Sequence, residues 1–417
     1  NLVRPVDPLI IHGLYETSLS SLQNQDTVSW MKSRAISRRR MLRQSAALGL
    51  GAALAPHVRT QAAKHLAKVH SIHVASLRPN QYHGWPTLAR RRNGQLLLVC
   101  SGGRESHVCP FGQVELMRSD DDGKTWTFPR VLLDLAIDDR DAGILETARG
   151  TLLATTFSSL AYEYQFNNGN INKWDAARQA RWRGAHNRIS AAERKAQLGT
   201  WMLRSTDGGV TWSTPYDSIV NSPHGPIQLA DGRQLYAGKD LWKSGQWIGV
   251  CESTDDGRSW KKLAQIPTRA GDDPSEYHEL HAVEATNGTI VVQIRNNNPA
   301  NRSETLQTES PDGGKTWSVP HPISVWGLPS HLVRLRDGRL LMSYGYRRKP
   351  FGNQARISTD HGKTWGEPVT ISGDGANGDL GYPSTVELQD GTLLTAWYEQ
   401  MSSHPRAVLR LAKWSLL

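Results

Sequence analysis

Cysteine is scarce in this chain: Cys100, Cys109 and Cys251 are the three among 417 residues. An odd number excludes a fully paired disulfide framework. Cys100 and Cys109 are spaced to pair across a loop, or else to act as small buried hydrophobes. No Cys-x-x-Cys or His-Glu-x-x-His spacing is present, so neither a metal nor a cofactor is expected. Long apolar runs are also missing. The run from Ala46 to Ala55 falls well short of the ~20 residues that cross a bilayer, which argues against a membrane span. No cysteine follows it at a lipidation position, which argues against a lipid anchor. Acidic residues are outnumbered, 39 against 49 Lys and Arg. That imbalance is local: residues 1–70 carry 10 basic and 3 acidic residues, and the remainder carries 39 and 36. A nucleic-acid surface is therefore a poor reading. What the chain does hold is 15 Trp, 37 Gly and 21 Pro, the composition of a turn-rich β protein.

The basic N-terminal region resembles a twin-arginine export signal. It reads Ser37-Arg38-Arg39-Arg40-Met41-Leu42-Arg43, followed by the weakly hydrophobic run and small residues at Ala53, Ala55 and Ala62. We expect residues 31–62 to be such a signal and 1–30 to be a spurious or disordered upstream segment. The mature protein would then be exported to the periplasm or beyond and is expected to be a monomer.

One eight-residue motif recurs five times: SDDDGKTW at 119–126, STDGGVTW at 205–212, STDDGRSW at 253–260, SPDGGKTW at 310–317 and STDHGKTW at 358–365. Between copies lies a second repeat, an apolar run, a turn and another apolar run. The turns are Asn93-Gly94, Arg149-Gly150, Asp231-Gly232, Asn287-Gly288, Asp337-Gly338 and Asp390-Gly391. Asx-Gly is a strong hairpin signal, read here as a turn with positive φ at both residues. Six hairpins at this spacing imply a six-bladed β-propeller over residues 70–417. The sixth blade lacks a fourth strand of its own, and the segment 70–77 (HSIHVASL) is expected to supply it, closing the ring and removing an open edge. Residues 165–199, rich in Ala, Arg, Lys and Gln, read as a helical insertion in blade 2.

The parity of antiparallel strands now sorts the loops. Turns between strands 1–2 and 3–4 of a blade share one face, so the Asp motifs sit with the Asx-Gly turns. Their Ser and Asp side chains are suited to bond local backbone, and their Trp to pack into the blade. They count blades and carry no chemistry. The opposite face is built from the 4–1 and 2–3 connections, including YHGWP (82–86), GGRESHVCPF (102–111), DDRDAG (138–143), SPHGP (222–226), DDPSEYHELH (272–281), YGYRRKPFG (344–352) and DLGYPS (379–384). Arginines, carboxylates and imidazoles converge there beyond what solubility needs, which points to a site for an acidic ligand.

Five Asp boxes on six blades resemble the sialidase (neuraminidase) superfamily, over about residues 75–417. ELHAVEATNGTIVVQIR is similar to the family segment that holds an activating glutamate and a carboxylate-binding arginine, which implies those roles for Glu279 and Arg295. GYPSTVELQDGTLLTAWYE is similar to the segment holding the tyrosine nucleophile, which falls on Tyr382. The resemblance implies an exo-glycosidase acting on a terminal acidic sugar of a glycan. A neutral tyrosine, deprotonated as it attacks, escapes repulsion by the sugar carboxylate. Departures lie in the early blades. Gly84-Trp85-Pro86 stands where the family has Arg-Ile-Pro, and Gly102 where it has its acid/base aspartate. Glu105 or His107 can replace that acid, and Asp141 fits a second-blade aspartate. Arg347 is the best candidate for the third arginine, with Gly352 at the place expected for it. Arg104 and Arg140 can rebuild a cationic pocket, with His83 and His224 as further substrate-binding candidates. Two alternatives stay open: a glycosidase or lyase using a histidine (His83, His107 or His224) as acid/base, and a non-catalytic glycan-binding propeller.

Overall fold

The structure, a computed structural model, describes residues 67–242 and 247–417, and these form six four-stranded antiparallel sheets. The expected signal (31–62) and upstream segment (1–30) lie outside the described residues. Blade 1 comprises β2 (Tyr82–Arg90), β3 (Leu96–Arg104), β4 (Gln113–Ser119) and β5 (Arg130–Leu133). Blade 2 comprises β6 (Asp138–Glu146), β7 (Leu152–Ser159), β8 (Gly199–Ser205) and β9 (Tyr216–Asp217). Blade 3 runs through β10 (Ile227–Gln228), β11 (Gln234–Lys239), β12 (Ile248–Ser253) and β13 (Lys261–Gln265). Blade 4 is β14 (Tyr277–Glu284), β15 (Ile290–Asn296), β16 (Glu304–Ser310) and β17 (His321–Trp326). Blade 5 is β18 (Ser330–Arg334), β19 (Leu340–Tyr346), β20 (Gly352–Ser358) and β21 (Val369–Ser372). Blade 6 holds β22 (Leu380–Glu387), β23 (Leu393–Gln400) and β24 (Ala407–Leu416). Its outer strand is β1 (Ala67–Val74), paired antiparallel from Ala67 opposite Leu416 to Val74 opposite Arg410. The ring closes as the sequence implies, with the closing strand starting three residues earlier than expected.

Each blade is buried on both faces, which explains why second strands read as unbroken apolar runs. Alternation sends neighbours to opposite sides. In β3, Leu96, Leu98 and Cys100 pack against blade 6, while Leu97 and Val99 pack against blade 2. The other blade pairs are filled the same way, for example Leu153 with Tyr236 and Cys251, or Ile357 with Trp397 and Trp414. All three cysteines are buried, and none forms a disulfide. Cys100 lies between blades 1 and 6, whereas Cys109 belongs to the core of the helical insertion, so the Cys100–Cys109 pairing does not form.

The Asp boxes are the turns between third and fourth strands. In the first copy Asp121 Oδ1 accepts from the Thr125 amide (2.9 Å), and Oδ2 from the Thr125 hydroxyl (2.6 Å). Ser119 Oγ donates to Asp121 (2.8 Å) and accepts from the Gly123 amide (2.9 Å). The Ser205, Ser253, Ser310 and Ser358 copies repeat this pattern. The Asx-Gly hairpins differ from expectation. In all six turns, Arg149-Gly150 included, only the glycine has positive φ, from 79° at Gly150 to 92° at Gly94, and its amide bonds the carbonyl three residues back. This is a type I turn followed by a bulge glycine, not a turn with two left-handed residues. The Asx residue is selected because its side chain accepts the amide two residues on, as Asn93 does from Gln95 (3.1 Å) and Asp390 from Thr392 (2.9 Å).

The helical insertion links β7 to β8 and begins with a short 3-10 turn at Ala161–Glu163. Its main helices are α1 (Ala176–Asn187), capped by Asp175, and α2 (Ala191–Ala196), opened by a Ser190/Glu193 capping box. It has its own small core around Trp182, Tyr162, Ile171 and Cys109. Among the described residues no helix is long and apolar enough to cross a membrane.

Candidate active site

The segments taken from the sequence as 4–1 loops are, in blades 1, 2, 4 and 6, the opening residues of the innermost strands. Each of those strands breaks register: between Gly84 and Thr87, Arg140 and Gly143, His278 and Leu280, and Gly381 and Ser384. Within or at each break one large residue adopts a left-handed backbone: Trp85 (φ 52°), Asp141 (45°), Glu279 (39°) and Tyr382 (53°). Such a conformation costs a bulky residue about 1–3 kcal/mol and persists where the surrounding fold enforces it. Bulges re-aim side chains. Here four are re-aimed together, on four inner strands of one ring.

Two of the four, Tyr382 and Glu279, meet directly, and Arg295 joins them. Tyr382 donates its hydroxyl to Glu279 Oε1, and Arg295 Nη1 lies 2.6 Å from Glu279 Oε2 and 3.3 Å from the Tyr382 oxygen. Arg295 reaches this point because it lies next to the last residue of β15, paired across from His278 one residue before Glu279. Burial, reinforced by the Glu279 charge, pushes the Tyr382 phenol well above its usual range, opposed by Arg295 and Arg347. The hydroxyl therefore stays neutral until its proton is taken. Asp141 is the fourth member: burial first, then the charge of Glu279, raise its carboxyl to about 7, against the pull of Arg140, Arg104 and Arg295.

The cationic residues divide. Arg347 stays near the phenol, its Nε donating to the Leu380 carbonyl (3.0 Å) and its guanidinium 5.8 Å from the Tyr382 ring centroid. Arg104 is committed elsewhere: both its terminal nitrogens bond Asp138 (2.6 and 2.9 Å), and it is buried. It serves as internal structure and is not free to bind a substrate. Arg140 lies over the Trp85 ring at 4.4 Å, with Arg104 over the same ring at 4.8 Å. Trp85 is 1% exposed, packed beneath these two guanidinium groups and one residue after Gly84. Gly352 carries no arginine for a physical reason: a Cβ there would meet the Ser372 carbonyl.

The other sequence candidates spread out. Glu105 is held by the insertion, ion-paired to Arg178 (2.8 Å) and Arg181 (3.2 Å) and accepting from Trp182 Nε1 (3.2 Å). It anchors α1 instead of standing as a free acid. Gly102 has no space for an acid, because the Glu115 carboxylate occupies the volume a side chain would need. His83 sits against that same Glu115 (3.7 Å), buried and with its imidazole lowered to about 4 by burial and Arg78. His224 is also buried. It stacks edge-on with His281 and His331 (5.3 and 4.9 Å), while those two lie face to face at 4.6 Å. These are packing histidines in the body of the ring. His107 is different. Its Nδ1 lies 3.1 Å from Asp379 and 2.8 Å from the Tyr82 hydroxyl, and its side chain is 31% exposed. Asp379 also accepts from Tyr82 (3.0 Å) and Tyr398 (3.1 Å). Sequence reasoning did not single out Asp379, although it opens the DLGYPS segment placed on that face.

Residues 186–395, just over half of the chain, match the BNR repeat-like domain family. A sialidase of Bacteroides fragilis is 24% identical over 76% of this chain and 60% of its own length. One from Clostridium perfringens is 22% identical over 72% and 66%. A Paenibacillus xyloglucanase is 29% identical over 47% of this chain and 21% of its own length. The chain thus spans from a fifth to about two thirds of these curated relatives. Among solved structures, a protein of unknown function from Dyadobacter fermentans superposes with a TM-score of 0.68 at 22% identity, covering 84% of this chain and 99% of that one. A Hadza microbial sialidase gives 0.59 at 18% identity, covering 81% and 66%. With its repeats, ring closure and inner-strand geometry, the chain belongs to the BNR-repeat propellers of the sialidase superfamily.

Proposed function

We propose that this chain is a glycosidase that releases a terminal acidic sugar, sialic acid or a relative, from a glycan, with Tyr382 as nucleophile. The observation that carries this reading is the hydrogen-bonded group of Tyr382, Glu279 and Arg295. A buried neutral phenol touching a carboxylate is arranged for attack coupled to proton loss. Tyr382 would attack the anomeric carbon while its proton passes to Glu279, and Arg295 and Arg347 supply the charge that an anionic sugar needs. The relatives named sialidase and xyloglucanase support a glycan-cleaving role. The twin-arginine-like segment supports action outside the cytoplasm.

The test is release of 4-methylumbelliferone from its sialic acid conjugate, comparing the protein lacking residues 1–62 with its Tyr382→Phe and Glu279→Gln variants. Activity that depends on both residues supports the reading, and turnover retained by Tyr382→Phe refutes it.

A second reading has an observation of its own. Gly84 stands where the resemblance expects an arginine and Arg104 is bound to Asp138, which leaves fewer cations for a carboxylate. An acidic sugar other than sialic acid, such as a uronic acid, would then be the substrate, and a panel of uronic acid and rhamnose glycosides distinguishes the two.

A further inference from the structure

A glycosidic bond that breaks toward an oxygen leaving group needs a proton for that oxygen, and the Tyr382 group does not supply one. The donor must reach the solvent side, where the rest of the glycan lies. Asp141 has the right proton affinity but is 4% exposed and packed beside Glu279. Glu105 is held by the helical insertion, and His83 and His224 are buried. His107 alone among the sequence's acid/base candidates is both held and reachable.

We propose that His107 is the catalytic acid/base for the leaving group and that Asp379 positions its imidazole. The inference rests on the glycosidase reading above and names the residue that completes it. Both partners of His107 Nδ1, the Asp379 carboxylate and the Tyr82 oxygen, can accept a proton. This fixes the Nδ1–H tautomer and leaves Nε2 as the nitrogen that gains and loses a proton. Asp379 is itself oriented by the Tyr82 and Tyr398 hydroxyls, so the imidazole has a fixed support. His107 and Tyr382 pack edge-on against the same indole, Trp85, at 5.0 and 6.3 Å between ring centroids. The donor and the nucleophile therefore share one wall of the site.

The protons and electrons balance over two steps. In the first, the glycosidic C–O bond breaks and its electron pair stays on the leaving oxygen, which takes the proton from His107 Nε2. The Tyr382 oxygen bonds the anomeric carbon as its proton moves to Glu279. In the second, water gives a proton to His107, its oxygen bonds the anomeric carbon, the bond to Tyr382 breaks, and Glu279 returns its proton to the phenol oxygen. Burial lowers the His107 imidazole from its usual 6.5, Asp379 opposes that, and Arg140 and Arg104 reinforce it. The neutral imidazole is thus favoured more than in a free histidine.

The experiment compares two substrates of one sugar, the 4-methylumbelliferyl sialoside and sialic acid linked to lactose, in the parent, His107→Gln, His107→Asp, Asp379→Asn and Tyr382→Phe. An aryl leaving group needs little proton assistance and a sugar hydroxyl needs much. His107→Gln is expected to lose about 10²–10³-fold in kcat/KM on the lactose conjugate and at least tenfold less than that on the aryl one. His107→Asp, which restores a proton donor, is expected to recover part of the loss. Asp379→Asn is expected to shift the alkaline limb of the lactose-conjugate profile to lower pH, since the carboxylate that raises the imidazole is gone. Equal losses on both substrates in His107→Gln, or an unmoved limb in Asp379→Asn, overturn the proposal while leaving the glycosidase reading intact. If Tyr382→Phe equals the parent, the tyrosine reading falls and the leaving-group comparison still judges His107. A parent inactive on both substrates overturns the glycosidase reading and this proposal with it.

Discussion

The phenol of Tyr382 and the carboxylate of Glu279, on blades 6 and 4, share a hydrogen bond although 103 residues separate them. Each has a left-handed backbone on an inner strand. Two unfavourable conformations brought together on separate blades indicate a geometry imposed by the fold, because neither residue gains from the strain alone.

The first prediction follows from that pairing. Tyr382→Phe removes one oxygen from a packed ring and should lower kcat/KM on an aryl sialoside by about 100-fold or more. Glu279→Gln should lose a similar amount, and the double variant little more than the worse single one, because the two act as a unit. Additive losses in the double variant would mean that the two residues act separately.

Trp85 offers a stability test with an unusual sign. Truncation to alanine removes a fully buried indole and should cost about 3–5 kcal/mol in urea denaturation. Glycine in place of alanine ordinarily costs a further ~0.5–1 kcal/mol. At φ 52° that order should reverse, because glycine alone occupies this backbone without strain. Trp85→Gly is therefore expected to be at least as stable as Trp85→Ala. A Gly variant clearly below the Ala variant would show that the left-handed backbone at Trp85 carries no strain.

Much of the fold was legible because a propeller repeats its local chemistry. Six hairpins and five Asp boxes each announce a blade in eight residues or fewer, and the missing strand of blade 6 follows by counting. The site was less legible. Glu279, Arg295 and Tyr382, quoted from one resemblance, do converge in the structure, with Arg347 and Asp141 beside them. Asp379 did not stand out, since its role comes from Tyr82, His107 and Tyr398 arriving from three different strands and loops. Nor did the fate of Glu105, which depends on where an inserted helix lands. The strain at Trp85 has no sequence pattern at all, because nothing in Gly-Trp-Pro demands positive φ at the tryptophan.

The Asp boxes provide the control for any claim about the opposite face. The Thr125 side chain, then its amide, hold Asp121 down to about 2, and the carboxylate organises the turn. Asp121→Ala should cost about 1 kcal/mol, the scale of losing a side chain that satisfies backbone amides at an exposed turn. It should leave kcat/KM within about twofold of the parent. A loss of activity larger than the loss of folded protein would place that face in the mechanism, contrary to the strand parity.

The histidines within the ring predict how stability depends on pH. Burial, with His331 adding to it, holds His224 well below the usual 6.5. Burial alone takes His331 to about 3, and burial with both neighbours lowers His281. The folded chain keeps these imidazoles neutral, with the Nδ1 atoms of His281 and His331 accepting the Leu332 and Thr385 amides. The unfolded chain binds a proton at each below pH 6.5. Between the folded and unfolded pKa values the unfolded state therefore holds more protons, and stability falls as pH falls, by up to about 1.4 kcal/mol per pH unit for each histidine. His224→Phe keeps an aromatic ring against both neighbours and removes one titrating group. Its Tm should drop less than the parent's between pH 7 and pH 5, so that the difference between the two proteins narrows or reverses in acid. Parallel melting curves across that range would show that His224 is protonated in the folded chain too, and the neutral stack would have to be abandoned.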